Sequence, residues 1–214
     1  MKNMGLSVRQ IEKGINDCTE QEVAEMLQQR ENVLQSQLHE QQMHLLGLQN
    51  LRAALRLCEQ GEWSVRTVPD VWYLPHTIGK EFVQDSRIYD QLPQWLDWMP
   101  VVTSAQIVRG NDAHAERMEW GLGLEQAEAA LLGFAPQEPA QLLHLGRVLE
   151  IYCSWEIPAE HGSEKGLYQY CMERARALNL VPEPVMFRRV FCYTEKGGTK
   201  QVHNVLRVPV KMAE

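Results

Sequence analysis

The sequence predicts an α+β protein in which one long N-terminal helix precedes an antiparallel-sheet domain built from a duplicated βαββ unit. Three observations carry this prediction. Residues 19–60 contain no proline and no paired glycines, and their apolar side chains recur at helical spacing. From residue 62 onward the chain changes to short runs rich in β-branched and aromatic residues, punctuated by Pro and Gly. The order strand, helix, strand, strand then occurs twice, offset by roughly 80 residues.

The helix has both of its ends written in the sequence. Thr19 and Glu22 stand in the T-x-x-E spacing of a capping box, and Gly61 supplies a stop. At 1.5 Å per residue such a helix runs roughly 60 Å, more than one small domain covers. Leu27, Leu34, Leu48 and Leu55 fall on a seven-residue repeat that Gln41 interrupts, with Leu38 and Leu45 four residues on. A seam this narrow predicts helix-on-helix pairing in a homodimeric coiled coil, Gln41 being the polar point that fixes register. The alternative is a helix packed along its own domain. Before it, residues 1–17 carry Ser7 and Gln10 in a second capping spacing, with Val8, Ile11 and Ile15 at helical intervals. The predicted organisation is therefore a short helical segment at 1–17, the dimerisation helix at 18–61 and a sheet domain at 62–214.

Within that domain, residues 62–75 read as strand, confined by Pro69 and Pro75 to interrupted or edge strands. Residues 82–98 read as a helix with Phe82, Ile88, Leu92, Trp95 and Leu96 on one side and Pro93 as a local misfit. Residues 101–109 and 116–124 make a hairpin around a polar turn. After a proline-containing connector at 125–140, the order returns: a strand at 141–157, a helix at 163–180 and a hairpin, 185–194 with 200–210, around Glu195-Lys196-Gly197-Gly198. The repeats span 62–124 and 141–211.

Composition narrows the function. A net charge of −7 gives no electrostatic footprint for nucleic acid on this chain. Cys18, Cys58, Cys153, Cys171 and Cys192 form no C-x-x-C pair, as expected of reduced thiols in a cytoplasmic protein. No apolar run reaches 18 residues, so no membrane partner is expected. The histidines show no metal-ligand spacing, and neither a P-loop nor G-x-G-x-x-G nor G-x-S-x-G occurs, so no metal or cofactor is expected.

The string MGLSVRQIEKGIND, followed by a capped long helix, resembles the segment that joins the winged-helix DNA reader of bacterial MerR-family transcription regulators to their dimerisation helix. The duplicated βαββ order after it resembles the GyrI-like (SOUL-type) effector-binding domain found at the C-terminus of multidrug-sensing members. Gly146-Arg147 opening the second repeat's strand and the terminal hairpin ending in VPVKMAE are the most specific local matches. The resemblance covers Met4 to Glu214. It implies an effector-sensing, dimerising portion of such a regulator, with DNA contacted only through an N-terminal domain absent from this chain.

In such a domain, helices cover one sheet face and the other is a concave ligand site. Strand alternation puts Glu119, Gly121 and Gly123 on one face of 117–124, a carboxylate beside open space. It also groups Val148, Glu150, Tyr152 and Ser154, a mixed carboxylate and aromatic wall. Trp72 and Tyr73 are candidate rim aromatics, and Trp95 a core residue. An aromatic surface with a buried acid favours a lipophilic cation. The family's pocket glutamate, however, falls by resemblance at Met186, and Arg188 or Arg189 facing the pocket would favour an anionic or amphipathic ligand. Two other functions fit the same residues: a stand-alone binding module for a small molecule or protein, and a hydrolase using Glu119 or Glu150 as general base. The solvent-facing alternative for both glutamates is that an antiparallel sheet often has one wet face.

Overall fold

The structure, a computed structural model, describes residues 19–111, 115–157 and 164–212. The predicted helix within 1–17, Cys18 and part of the first hairpin's turn lie outside them. The capping box forms as read: Thr19 N–H and its hydroxyl donate to Glu22 Oε2 at 2.8 and 2.9 Å, and Glu22 N–H donates to Thr19 Oγ1 at 3.3 Å. Helix α1 then runs without a break over Glu20–Gln60. Two compact units divide within it, between Leu45 and Leu46. In the first unit Leu27, Leu34, Leu38 and Leu45 are all exposed, and polar pairs one turn apart such as Gln28 to Asn32 decorate the helix.

Among the described residues, the second unit holds the end of α1 and a ten-stranded antiparallel sheet with three further helices. In chain order these are β1 (Trp63–Thr67), β2 (Val71–Ile78), β3 (Glu81–Phe82), α2 (Ser86–Asp97), β4 (Thr103–Gly110), β5 (Ala115–Glu125), α3 (Gln126–Leu132), β6 (Gln141–Leu143), β7 (Arg147–Ile157), α4 (Glu164–Ala177), β8 (Leu180–Pro182), β9 (Val185–Lys196) and β10 (Thr199–Met212). The main path runs β1-β7-β10-β9-β4-β5-β2-β3, with β6 on β2 and β8 on β10. β2-α2-β4-β5 and β7-α4-β9-β10 are thus equivalent halves joined through the β4–β9 pair. Gly197 and Gly198, both at positive φ, make the tight turn of the second hairpin, where L-residues with a Cβ are disfavoured.

Two runs read as single strands are each split. Residues 62–75 divide at 68–70 and 141–157 at 144–146, and each leading piece crosses to the other half: β1 pairs with β7, and β6 with β2. A link of three residues reaches at most on the order of 15 Å. The two ends of the sheet are therefore close, and the sheet curls. Val68 N–H donates to Gly146 O at 3.0 Å across the gap, and His144 Nδ1 lies 2.8 Å from Asp70 Oδ2. Inside the curl, Val71, Tyr73, Ala105, Ile107, Val148 and Phe187 form one apolar cluster. Outside it, Leu167, Tyr168, Cys171 and Met172 of α4 pack on Leu149, Ile151, Met186, Leu206 and Val208.

Helix α2 begins at Ser86, not at 82, because Asp85 caps it by accepting from Arg87 N–H at 3.0 Å. Phe82 belongs to β3 and is exposed, while Trp95 is fully buried, edge-on to Phe134 at 5.5 Å. The connector after β5 forms the short helix α3, which ends at Gly133.

The end of α1 lies on the curled sheet through small residues. Gly47, Ala54 and Cys58 are its buried positions, and the Cys58 thiol donates to Asn204 O at 3.3 Å. Burial pushes that thiol up to about 11. A Cβ on Gly47 would stand 2.9 Å from Val101 N and 3.0 Å from Pro100 Cγ. Replacing a helical Gly by Ala ordinarily stabilises by about 1 kcal/mol. Here the contact is with backbone, so Gly47→Ala is expected to lower stability in urea unfolding; a gain would show that α1 does not approach the 99–102 segment this closely.

Candidate functional site

At the end of the curl beneath α1, the inward positions of the strands carry charge. Arg66 on β1 grips Glu150 on β7 with two hydrogen bonds of 2.9 and 3.0 Å. Glu150 Oε2 also accepts from Arg207 Nε on β10 at 2.8 Å. Arg207 Nη2 donates to Glu125 Oε1 at the end of β5 (2.9 Å), which accepts from Arg189 Nη1 on β9 at the same distance. Arg189 continues to Thr103 Oγ1 (3.0 Å) and approaches Glu128 of α3 at 3.7 Å. Glu128 accepts from Asn50 Nδ2 of α1 at 3.2 Å, closing the chain on the helix.

Burial and partners set the charge states in opposition. Burial raises the Glu125 carboxyl, but Arg189 and Arg207 outweigh it and hold it below its ordinary value. At Glu128 burial wins, aided by neighbouring Glu125, and the carboxyl is raised. Burial opposes the charge on Arg207, yet Glu125 and Glu150 more than offset it. The Tyr152 hydroxyl is pushed up by burial and then by Glu150.

Between this charged layer and α1 lies a cavity of about 250 Å³. Gly47, Asn50, Leu51, Ala54 and Leu57 of α1 form one wall, and Met99–Thr103 another. Arg66, Arg189, Arg207, Glu125 and Glu128 line its polar side. Tyr152 and Phe191, stacked at 6.4 Å with 10° between ring planes, add an aromatic surface. Polar groups at one end and apolar groups along the helix suit an amphipathic small molecule.

The residues singled out from sequence disperse. Tyr152 lines the cavity, and Glu150 holds two of its arginines. Tyr73 is in the apolar interior, its hydroxyl donating to Glu119 O at 2.9 Å and its ring edge-on to Phe187. That ring occupies the space expected to be open beside Gly121, where an added Cβ would meet the Tyr73 ring and Leu74 O. Glu119 pairs with Arg117 at 2.9 Å, away from the cavity, and Trp72 pairs with Leu124 and Leu142. Met186 is on the opposite face, packed with α4. Arg188 shares that face, donating to Asn204 Oδ1 (2.8 Å) and Gln106 Oε1 (3.3 Å) with its guanidinium over Trp120. Its neighbour Arg189 is the arginine that faces the cavity. Among the described residues no His, Cys, Asp and Glu cluster could hold a metal ion, and no helix is long and apolar enough to cross a membrane.

Sequence reasoning missed Arg66, Arg207, Glu125, Glu128 and the α1 wall. One signal was present for Arg207: it interrupts 205–210, where residues of both parities are apolar and buried, so a charge there must be paired. Gly47, Ala54 and Cys58, small residues on one face of a helix otherwise rich in Leu, Gln and Arg, signal close packing.

Removing one partner from a buried ion pair strands the other, at a cost of roughly 3–5 kcal/mol, so Arg207→Met is expected to lose stability on that scale in urea unfolding. Glu125 and Glu128 are expected to respond to pH in opposite directions. Glu125 has a folded value below its ordinary 4.5, so its contribution is present above 4.5 and lost as pH falls through the folded value. Glu125→Gln should therefore be less stable than the parent at neutral pH, the deficit closing in acid. Glu128 has a folded value above 4.5, so the parent loses stability as pH rises from 4.5 through that value. Glu128→Gln should gain on the parent across the same interval, and denaturant unfolding from acid to neutral pH measures both slopes.

No protein-family model and no curated protein matches the chain. Among solved structures, it is similar to one of an EcmrR–DNA complex in EcmrR-RPo, with 13% identity, 99% of this chain and 80% of that chain covered, and a TM-score of 0.39. It is also similar to the EcmrR C-terminal domain, with 12% identity, 72% and 99% coverage and a TM-score of 0.41. At these values the likeness assigns no function.

Proposed function

We propose that the chain is the effector-sensing and dimerising portion of a cytoplasmic, MerR-type bacterial transcription regulator, with a GyrI-like domain that binds a small aromatic or lipophilic molecule. One observation carries the reading: a wall of the cavity is α1, and α1 is also the helix that exposes the leucine seam. Leu27, Leu34, Leu38, Leu45 and Leu48 are each exposed by 43% or more, the arrangement a pairing helix needs. A ligand in the cavity touches the positions next to Gly47 and Ala54, and so can favour one seating of α1 on the sheet. It acts only if its affinity differs between two such seatings. The helix would pass the difference to its partner in a homodimer and to DNA-reading domains N-terminal to residue 1. The segment MGLSVRQIEKGIND supports the regulator assignment at the level of sequence.

The hydrolase alternative is less well supported. Both oxygens of Glu150 accept from guanidinium groups, and Glu119 is paired with Arg117. Ser154 Oγ lies 2.8 Å from His203 Nδ1, but the other ring nitrogen faces Thr194 Oγ1 rather than a carboxylate.

Sedimentation tests the dimer: the parent chain is expected to be dimeric and the Leu34→Glu, Leu48→Glu double variant monomeric, and a monomeric parent contradicts the proposal. A thermal-shift screen tests the sensor, because ligands that bind only the native state raise its apparent stability. At least one class among aromatic anions, neutral compounds and cations is expected to raise the midpoint, and no shift from any class contradicts it.

A further inference from the structure

The polar end of the cavity is balanced in charge and nearly closed to new partners. Arg66, Arg189 and Arg207 meet Glu125, Glu128 and Glu150, so three positive formal charges stand against three negative ones. Arg189 is engaged at every nitrogen: Nε by Thr103 Oγ1, Nη1 by Glu125, and Nη2 by Val101 O at 3.5 Å. Arg207 is buried, with Nε on Glu150 and Nη2 on Glu125. Arg66 differs from both. Its side chain is 49% exposed, and its Nε and Nη2 lie on Glu150. Its Nη1, on the opposite side of the guanidinium, has no partner among the described residues. Of the three arginines lining the cavity, Arg66 is therefore the one from which a ligand can take a hydrogen bond.

We propose that the effector carries no net charge and is a compact aromatic body bearing a carbonyl group, whose oxygen accepts from Arg66 Nη1. The rings lie between Leu51, Ala54 and Leu57 of α1 and the Tyr152–Phe191 stack. This rests on the reading of the cavity as the effector site and specifies its ligand class. An ion entering the cavity gives up its hydration, and charges already matched to one another leave none over to offset that loss. A carbonyl oxygen gives up far less, and a cationic donor makes it a stronger hydrogen bond than a neutral one does. The volume of about 250 Å³ suits one or two fused rings, being below the roughly 300–1,000 Å³ of drug-sized sites.

Equilibrium dialysis of the whole chain at neutral pH tests the assignment with four probes on one ring system: naphthalene-2-carboxamide, naphthalene-2-carboxylate, naphthalen-2-ylmethylammonium and 2-methylnaphthalene. The amide is expected to bind about ten-fold or more tightly than either ion. Equal or tighter binding of an ion overturns the assignment of a neutral ligand and leaves the cavity as a ligand site. Binding by none of the four overturns the site and the proposal together. Ala53→Leu, at an exposed position on the cavity wall, is expected to weaken the amide, and unchanged affinity places the binding elsewhere and overturns the proposal. Arg66→Met leaves Glu150 with Arg207 and removes the donor. It is expected to weaken the amide about ten-fold and to leave 2-methylnaphthalene as it was. A folded variant that binds the amide as the parent does, or that weakens both probes equally, overturns the carbonyl contact. If this variant does not fold, ¹⁵N-arginine spectra of the parent decide: the amide is expected to shift a guanidinium signal, and saturation without any change overturns the proposal.

Discussion

The buried chain of ion pairs from Arg66 through Glu150, Arg207 and Glu125 to Arg189 is the constraint on which the rest of the second unit depends. Its members come from β1, β7, β10 and β9, consecutive neighbours in the sheet though distant in sequence, and from β5, whose Glu125 joins Arg207 and Arg189 from beyond β4. Arg66 is half-exposed, but the other four charges are largely desolvated, which is costly, and a layer of this kind is tolerated only when nearly every lone pair and proton is matched. Matching requires all five strands to be in register. The network thus ties the register of these strands together: a slipped strand would leave a buried charge without its partner.

The exchange of β1 and β6 between the halves serves the same end. Each short strand begins one half and adds to the first long strand of the other, so the halves cannot separate without breaking both pairings. Arg66 rides on the exchanged strand β1 and reaches Glu150 on β7 directly. Asn50 extends the network to α1 by way of Glu128. In the proposed reading a ligand in the cavity would reach the helix by two routes, the polar one at Asn50 and the apolar wall at Ala54.

Much of the fold was legible because its signals are local. The Thr19–Glu22 cap, the unbroken helix that follows it, the Gly197-Gly198 turn and the strand alternation depend on residues a few positions apart. The splitting of 62–75 and 141–157 was not legible, because alternation says which residues share a face and nothing about which strand lies alongside. The site was legible only in part for the same reason. Alternation grouped Glu150 with Tyr152 correctly, but Gly121 looked open since Tyr73, which fills its space, comes from another strand. Arg189 and Arg188 could not be separated without knowing which parity faces inward, and the role of α1 as a cavity wall depended on a packing partner that its own sequence does not specify.

The central claim is that occupancy of this cavity is read by the end of α1. Amide hydrogen exchange of the whole chain, free and saturated with the tightest-binding member of an aromatic panel, tests it most directly. The account predicts added protection concentrated in residues 47–58 and 99–102 and around Arg207, the walls of the cavity. Protection confined to other surfaces, with 47–58 unchanged at saturation, would contradict it.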